Sequence, residues 1–310
     1  MNQSEVKKGA IYAGFSYFIW GLLPIYWKFI QHVSAEEILA NRIIWSFFFM
    51  AAILLITKKW GLFKETIQGF RTHKKLMAAL IVASLLISGN WYIYIWAVNN
   101  DHMVEASLGY YINPLVSVLL GMIVFREKLS VSQYVSFALA LLGVLILTIS
   151  YGLFPWVSII LALSFGLYGL AKKKIKLDAD IGLALETMAV TPIAFLYMVL
   201  LSYKGVQSFL AVSINTDFLL IGAGAVTAIP LLYFAKGAQR IPLSTLGFIQ
   251  FLSPTITLIL GVFVYHETFS KTHFISFMFI WVAITLFTLS KMKYFTHYEG
   301  KYKKSKSLGA

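Results

Sequence analysis

SLGYYINPLVSVLLGMIVFREKLS (Ser107–Ser130) and GFIQFLSPTITLILGVFVYHETFS (Gly247–Ser270) carry one design, 140 residues apart. Pro114 pairs with Pro254, Ser117 with Thr257, Gly121 with Gly261, Val124 with Val264, Glu127 with Glu267 and Ser130 with Ser270. Each copy is an apolar span interrupted by one proline, closed by a glutamate and followed by a further apolar span. A stretch that recurs half a chain away points to duplication of a module, and the rest of the sequence is read outward from it.

The chain has 310 residues, 59% hydrophobic and only 13% charged, about half the charged share of a soluble domain. Its apolar residues come in runs of about twenty, enough at a rise of about 1.5 Å per residue to cross about 30 Å of hydrocarbon. Ten spans are predicted: Gly9–Ile30, Glu37–Thr57, Leu76–Val98, Ala106–Phe125, Val131–Ser150, Phe154–Ala171, Ile181–Leu201, Phe218–Ala235, Leu243–Tyr265 and Thr272–Ser290. The expected fold is an all-α integral membrane protein of two five-helix units, 1–150 and 151–291, followed by a basic tail, 292–310. The first run follows Lys7-Lys8, but it is too long for a signal-peptide core and is read as a retained helix.

The formal charge of +13 lies between the spans and in alternate gaps, which suits lipid headgroups and the insertion machinery and not nucleic acid. Counting gaps from the N-terminus, one set holds 22 Lys and Arg; the other holds Lys28, Lys204 and Lys271, with Arg42 inside the second span. That asymmetry predicts both termini in the cytoplasm. There is no cysteine, so disulfides and thiolate metal sites are excluded, and the six histidines lack metal-ligand spacing. No metal and no cofactor is expected.

Five spans per unit is an odd number, so the second copy is expected upside down relative to the first. A fainter match at a spacing of 148 agrees: Ser16, Trp20, Gly21, Leu22, Phe47 and Met50 align with Ser164, Tyr168, Gly169, Leu170, Phe195 and Met198. Inverted repeats are characteristic of secondary transporters, because exchanging the conformations of the halves opens the centre to one side and then the other. The competing reading is that duplication simply builds a large helical bundle.

The paired Pro-x6-Gly stretches ending near a Glu and a following Ser resemble the EamA domains of the drug/metabolite transporter superfamily, over essentially the whole chain. The FSYFIWGLLPIYWK opening and the NWYIYIWAVN third span add to the likeness. It implies a ten-helix inner-membrane permease whose central cavity is lined mainly by spans 1, 3 and 4 and their mates 6, 8 and 9. One departure stands out: the glycine common in the family before the repeat-end glutamate is Arg126 in one copy and His266 in the other.

Candidate site residues follow from interruptions and from polar groups at membrane depth. Pro114 and Pro254 leave the carbonyls of Tyr110 and Gln250 without their helical donors, and matched interruptions are the best sequence pointer to a transport site. Small and polar stripes surround them. The Gly and Ser/Thr positions are read as helix packing, and Tyr110, Tyr111 and Gln250 as cavity residues. Asn90 needs a partner in hydrocarbon; with Tyr94, one turn on, it is placed in the cavity wall, together with Trp20 and its mate Tyr168. Arg42 and Glu186 are ionisable and intramembrane, which makes them coupling or gating candidates. Glu127 and Glu267 face opposite compartments, as helix caps or as gates. The predicted function is a permease that moves a small organic metabolite or drug by alternating access, with lipid and solute as its partners. An integral membrane enzyme and a non-transporting receptor or scramblase are the rival classes. The thirteen acids are too dispersed for a catalytic cluster near one face, so the chain is not expected to be an enzyme.

Overall fold

The computed structural model describes residues 3–70, 72–100, 102–266 and 270–307, with the side chains of residues 95, 98, 99, 103 and 291–307 outside that description. Every regular element among them is helical: α1 (Gln3–Lys28), α2 (Ala35–Ile56), α3 (Trp60–Gly69), α4 (Lys74–Asn99), α5 (Met103–Val124), α6 (Val131–Tyr151), α7 (Trp156–Lys174), α8 (Ala179–Lys204), α9 (Ile214–Ala238), α10 (Leu243–Gln250), α11 (Leu252–Phe263) and α12 (Lys271–Ser307). Taking α10 and α11 as one, ten are long and apolar enough to span a membrane. Such a chain must satisfy its backbone polar groups within each span, and helices do so.

Three elements depart from the expected boundaries. The basic segment after span 2 contains α3, which buries Phe63 and stacks it on Trp60 at 5.2 Å. Span 9 is not one helix. Pro254 cannot donate to the Gln250 carbonyl, and the helix is interrupted at Phe251. Its mate Pro114 leaves α5 continuous. Finally, α12 runs on to Ser307, through residues expected to form a separate tail.

Polar caps set the helix starts. The Ser130 hydroxyl accepts from the Gln133 N–H while the Gln133 side chain accepts from the Ser130 N–H, a reciprocal capping box on α6. Asp178 caps α8 and Ser213 caps α9 in the same way, with one bond each.

Ion pairs sort the bundle into two ends. At the near end, where α1 begins, Arg240 meets Glu5 at 3.1 Å, and Lys59 meets Asp178 at 2.7 Å and Asp180 at 2.5 Å. Lys236 reaches Asp180 at 2.9 Å, and the Lys173 ammonium donates to the Ile241 carbonyl. Burial disfavours the Lys59 charge, but its two carboxylate partners outweigh burial and hold its pKa above the usual lysine value. At the far end the Glu37 carboxylate accepts from the Ser208 and Phe209 N–H groups at 2.7 and 2.8 Å. Glu105 there accepts from the Tyr151 hydroxyl at 3.0 Å and the Val157 N–H at 3.2 Å.

Close approach holds the centre together. A Cβ at Gly247 would lie 2.7 Å from the Pro114 carbonyl, and one at Gly121 would lie 2.9 Å from the Ser244 nitrogen. Residues 114 to 121 therefore face 247 to 244, so α5 and α10, the matched elements, cross antiparallel. On the other side α9 lies so close to α2 that a Cβ at Gly224 would meet the Trp45 backbone at 2.3 Å, and the Ser46 hydroxyl donates to the Gly224 carbonyl at 3.0 Å.

Candidate functional site

Arg42 is the eighth residue of α2, about 10 Å along the helix from its far-end start. Its guanidinium carbon lies 4.8 Å from the Trp27 ring centre and 5.1 Å from that of Trp91, between two aromatic faces. Nε donates to the Thr227 hydroxyl at 2.9 Å. Among the described residues the two terminal nitrogens have no hydrogen-bond acceptor and no carboxylate in ion-pair range. Tyr94 and Tyr110 pack edge to face at 5.9 Å, close enough to Arg42 to act on its charge. Tyr110 keeps 51% of its surface exposed beside Tyr94 and Arg42, and the space against that exposed face is taken as a vestibule.

Toward the near end the vestibule stops at an aromatic plug. Tyr17 and Trp20 of α1, Phe165 and Tyr168 of α7 and Phe234 of α9 pack with ring centres 5.2 to 6.1 Å apart. The Tyr168 hydroxyl donates to Glu186 Oε2 at 3.1 Å, and the Lys172 ammonium meets Glu186 Oε1 at 2.9 Å. A cavity of about 10 Å³, roughly the room one water needs, runs between Trp91 and Glu186 past Ile43 and Thr187.

Below the plug, the near end is held by Glu127. Its carboxylate accepts from the Leu243 N–H at 2.7 Å and the Ser244 N–H at 2.9 Å, capping α10 where the helix dipole favours an anion. Gly121 leaves room for this, because a Cβ there would lie 2.7 Å from Glu127 Oε2. Arg126 precedes it with φ of 52°, and His266, its counterpart in the second copy, has φ of 55°. Both sit in the left-handed region that glycine occupies without penalty. Tyr17 and Gln250 lie side by side in this closed half. Yet among the described residues Tyr17 Oη, Gln250 Oε1 and Thr245 Oγ1 are buried without an aligned partner.

The structure separates the sequence-derived candidates into distinct places. Arg42, Tyr94 and Tyr110 meet at the vestibule. Trp20 and Tyr168 belong to the plug, where Tyr168 is fully buried against Phe234. Asn90 binds the neighbouring helix: its amide donates to the Leu161 carbonyl at 2.9 Å and the Ser164 hydroxyl at 2.8 Å. Tyr111 turns toward α12 and meets Phe277 edge to face, away from the vestibule. Gln250 is 4% exposed and not on open space. Pro114 and Pro254 are both buried. Glu267 lies outside the described residues. Sequence reasoning missed Lys172, counted among the loop charges, and Trp27 and Thr227, which carry no pattern of their own. Among the described residues no three His, Asp or Glu side chains gather as a metal site would require.

Comparison with known proteins agrees in fold and family. The EamA-like transporter family matches residues 7–149 and 155–289. The chain is 48% identical to "Uncharacterized transporter YojE" of Bacillus subtilis, over 95% of this chain and 98% of that one. It is 42% identical to "Protein RarD" of Escherichia coli, over 93% and 96%, and 25% identical to "Chloramphenicol-sensitive protein RarD" of Pseudomonas aeruginosa, over 85% and 88%. A solved crystal structure superposes with a TM-score of 0.69 over 90% of this chain and 97% of its own, at 16% identity, a likeness of fold alone.

Proposed function

This chain belongs to the EamA-like transporter family, and on that premise we propose that it is a permease carrying a small organic solute across the inner membrane by alternating access. One observation carries the reading: both ends carry carboxylate clasps, but the aromatic plug lies toward the near end, and the exposed face of Tyr110 lies on the far-end side of it. Toward the near end α1, α7, α9 and α10 interlock through the aromatic plug and the Glu127 clasp. Toward the far end Tyr110 is 51% exposed and Arg42 is only partly buried. A bundle closed at one end and open at the other is one of the two states that alternating access needs, and inverted halves supply the other. The lysine and arginine asymmetry assigns the closed end and both termini to the cytoplasm.

Carriage in this reading is secondary or facilitative, with Glu186 as the candidate for ion coupling. The enzyme reading is weaker because Glu186 is paired with Lys172 and, among the described residues, no further acid stands beside Arg42, Tyr94 and Tyr110 to make an acid–base pair.

Purified protein in proteoliposomes tests this. A metabolite panel scored for counterflow should contain solutes whose exchange exceeds that of empty vesicles. Chemical conversion of a panel compound by the detergent-solubilised protein, with no exchange of any compound, would overturn the permease reading in favour of an enzyme.

A further inference from the structure

We propose that the vestibule recognises its solute through a carboxylate, and that Arg42 is the residue that binds it. This rests on the permease reading and names the class of solute. An arginine inside a membrane span is costly and normally meets an acid or a backbone carbonyl. Arg42 meets neither: Nε is spent on the Thr227 hydroxyl, while the two terminal nitrogens have no acceptor among the described residues. Among the described residues Trp27 and Trp91 cover the faces of the guanidinium, which leaves its free edge for a ligand. That edge presents two parallel N–H donors, the fork that matches a carboxylate with two hydrogen bonds.

The nearby acids are already engaged. Glu37 lies on the same helix, but its carboxylate accepts from the Ser208 and Phe209 N–H groups, and Glu186 is paired with Lys172. The vestibule is therefore cationic before the solute enters. Trp91, Tyr94 and Tyr110 supply the remaining wall, flat and largely apolar with phenolic hydroxyls at its edge. A small monocarboxylate with an aromatic or otherwise planar apolar body fits that combination. The same molecule as a neutral amide keeps the wall contacts and loses the charge-assisted pair.

The test uses matched probes on the full chain in detergent: N-acetylphenylalanine, phenylacetate and benzoate, each beside its primary amide. Thermal unfolding should rise with the carboxylates and stay unchanged with the amides at equal concentration, since a ligand stabilises the state that it binds. Arg42→Met should weaken the carboxylate response about tenfold or more, the size expected for hydrogen bonds to charged groups. Far-ultraviolet circular dichroism and a single cooperative unfolding transition of the variant without ligand report whether it is still folded. As a second measurement, phenylglyoxal should modify Arg42, read by peptide mass, and the carboxylates should slow that modification. Equal responses to acid and amide, no response to any of the three acids, or modification of Arg42 that no carboxylate slows would each overturn the proposal. Counterflow keeps the two readings apart. Exchange of amides as fast as acids leaves a permease without anion recognition, whereas acid binding without exchange leaves recognition without a permease.

Discussion

The Lys172 ammonium lies 2.9 Å from the Glu186 carboxylate, with 3% and 2% of the two side chains exposed. Buried pairs of this kind owe little to net attraction and much to the cost of separating them, because either charge left alone in low dielectric is expensive.

Single replacement should therefore hurt more than double replacement. Lys172→Met or Glu186→Gln is expected to cost about 3 kcal/mol of stability each, and Lys172→Met with Glu186→Met should recover most of it, read as thermal unfolding in detergent. If Glu186 also exchanges a coupling proton, Glu186→Gln abolishes accumulation driven by a pH gradient and spares solute exchange. Unchanged accumulation would leave the pair a structural element only.

Arg126 and His266 hold left-handed backbone at matched places, φ 52° and 55°. Arg126→Gly is expected to raise stability by up to about 1 kcal/mol, since non-glycine residues pay about that much in this conformation. Arg126→Val should lower it, because a branched side chain fits the same backbone worst. A fall in unfolding temperature for the glycine variant would contradict this account of the turn.

Cysteine accessibility separates the open half from the closed half. In this cysteine-free chain Tyr110→Cys should react quickly with a small membrane-impermeant thiol reagent, and Gln250→Cys slowly, following 51% against 4% exposure. Labelling at both positions at equal rates would show that the two lie on one continuous opening.

Two glycines of the same residue type should respond in opposite directions. A Cβ at Gly224 would sit 2.3 Å from the Trp45 backbone, so Gly224→Ala is expected to cost about 1–3 kcal/mol, the range for overpacking. Gly89, in the middle of α4, has nothing within 4 Å of its added Cβ, and Gly89→Ala should gain about 0.5–1 kcal/mol from helix propensity. Both are measured as midpoints of thermal unfolding.

The orientation is read with a reporter fused after Ala310 that is active only outside the cytoplasm. It should stay silent, and strong activity would reverse the assignment of both ends.

The spans were legible because about twenty apolar residues between charged gaps admit few other structures. The family was legible because paired proline, glycine and glutamate positions survive in order. What stayed hidden depends on how helices cross. Lys172 and Lys173 are neighbours in one basic run, yet successive residues on a helix point about 100° apart. One pairs with Glu186 inside the bundle, while the other donates to the Ile241 carbonyl. Likewise Tyr110 and Tyr111 were grouped as cavity residues, but a single step around α5 sends the second toward Phe277. In 58–75 the cationic residues masked the spacing of Trp60, Phe63 and Ile67 that makes α3 a helix with one apolar side. Pro114 and Pro254 align in sequence, and only the surrounding helices decide that one is absorbed and the other interrupts.

Tyr17 Oη, Thr245 Oγ1 and Gln250 Oε1 of the closed half are buried without an aligned protein partner among the described residues, and leaving a buried polar group unpaired is costly. In the proposed cycle, opening that half would expose all three to solvent, so each turn would carry a hydration change as well as a solute. On the proposed alternating-access cycle, exchange would then be sensitive to osmotic stress: an excluded osmolyte such as sucrose should favour the near-end-closed form, which exposes less polar surface there, and slow exchange.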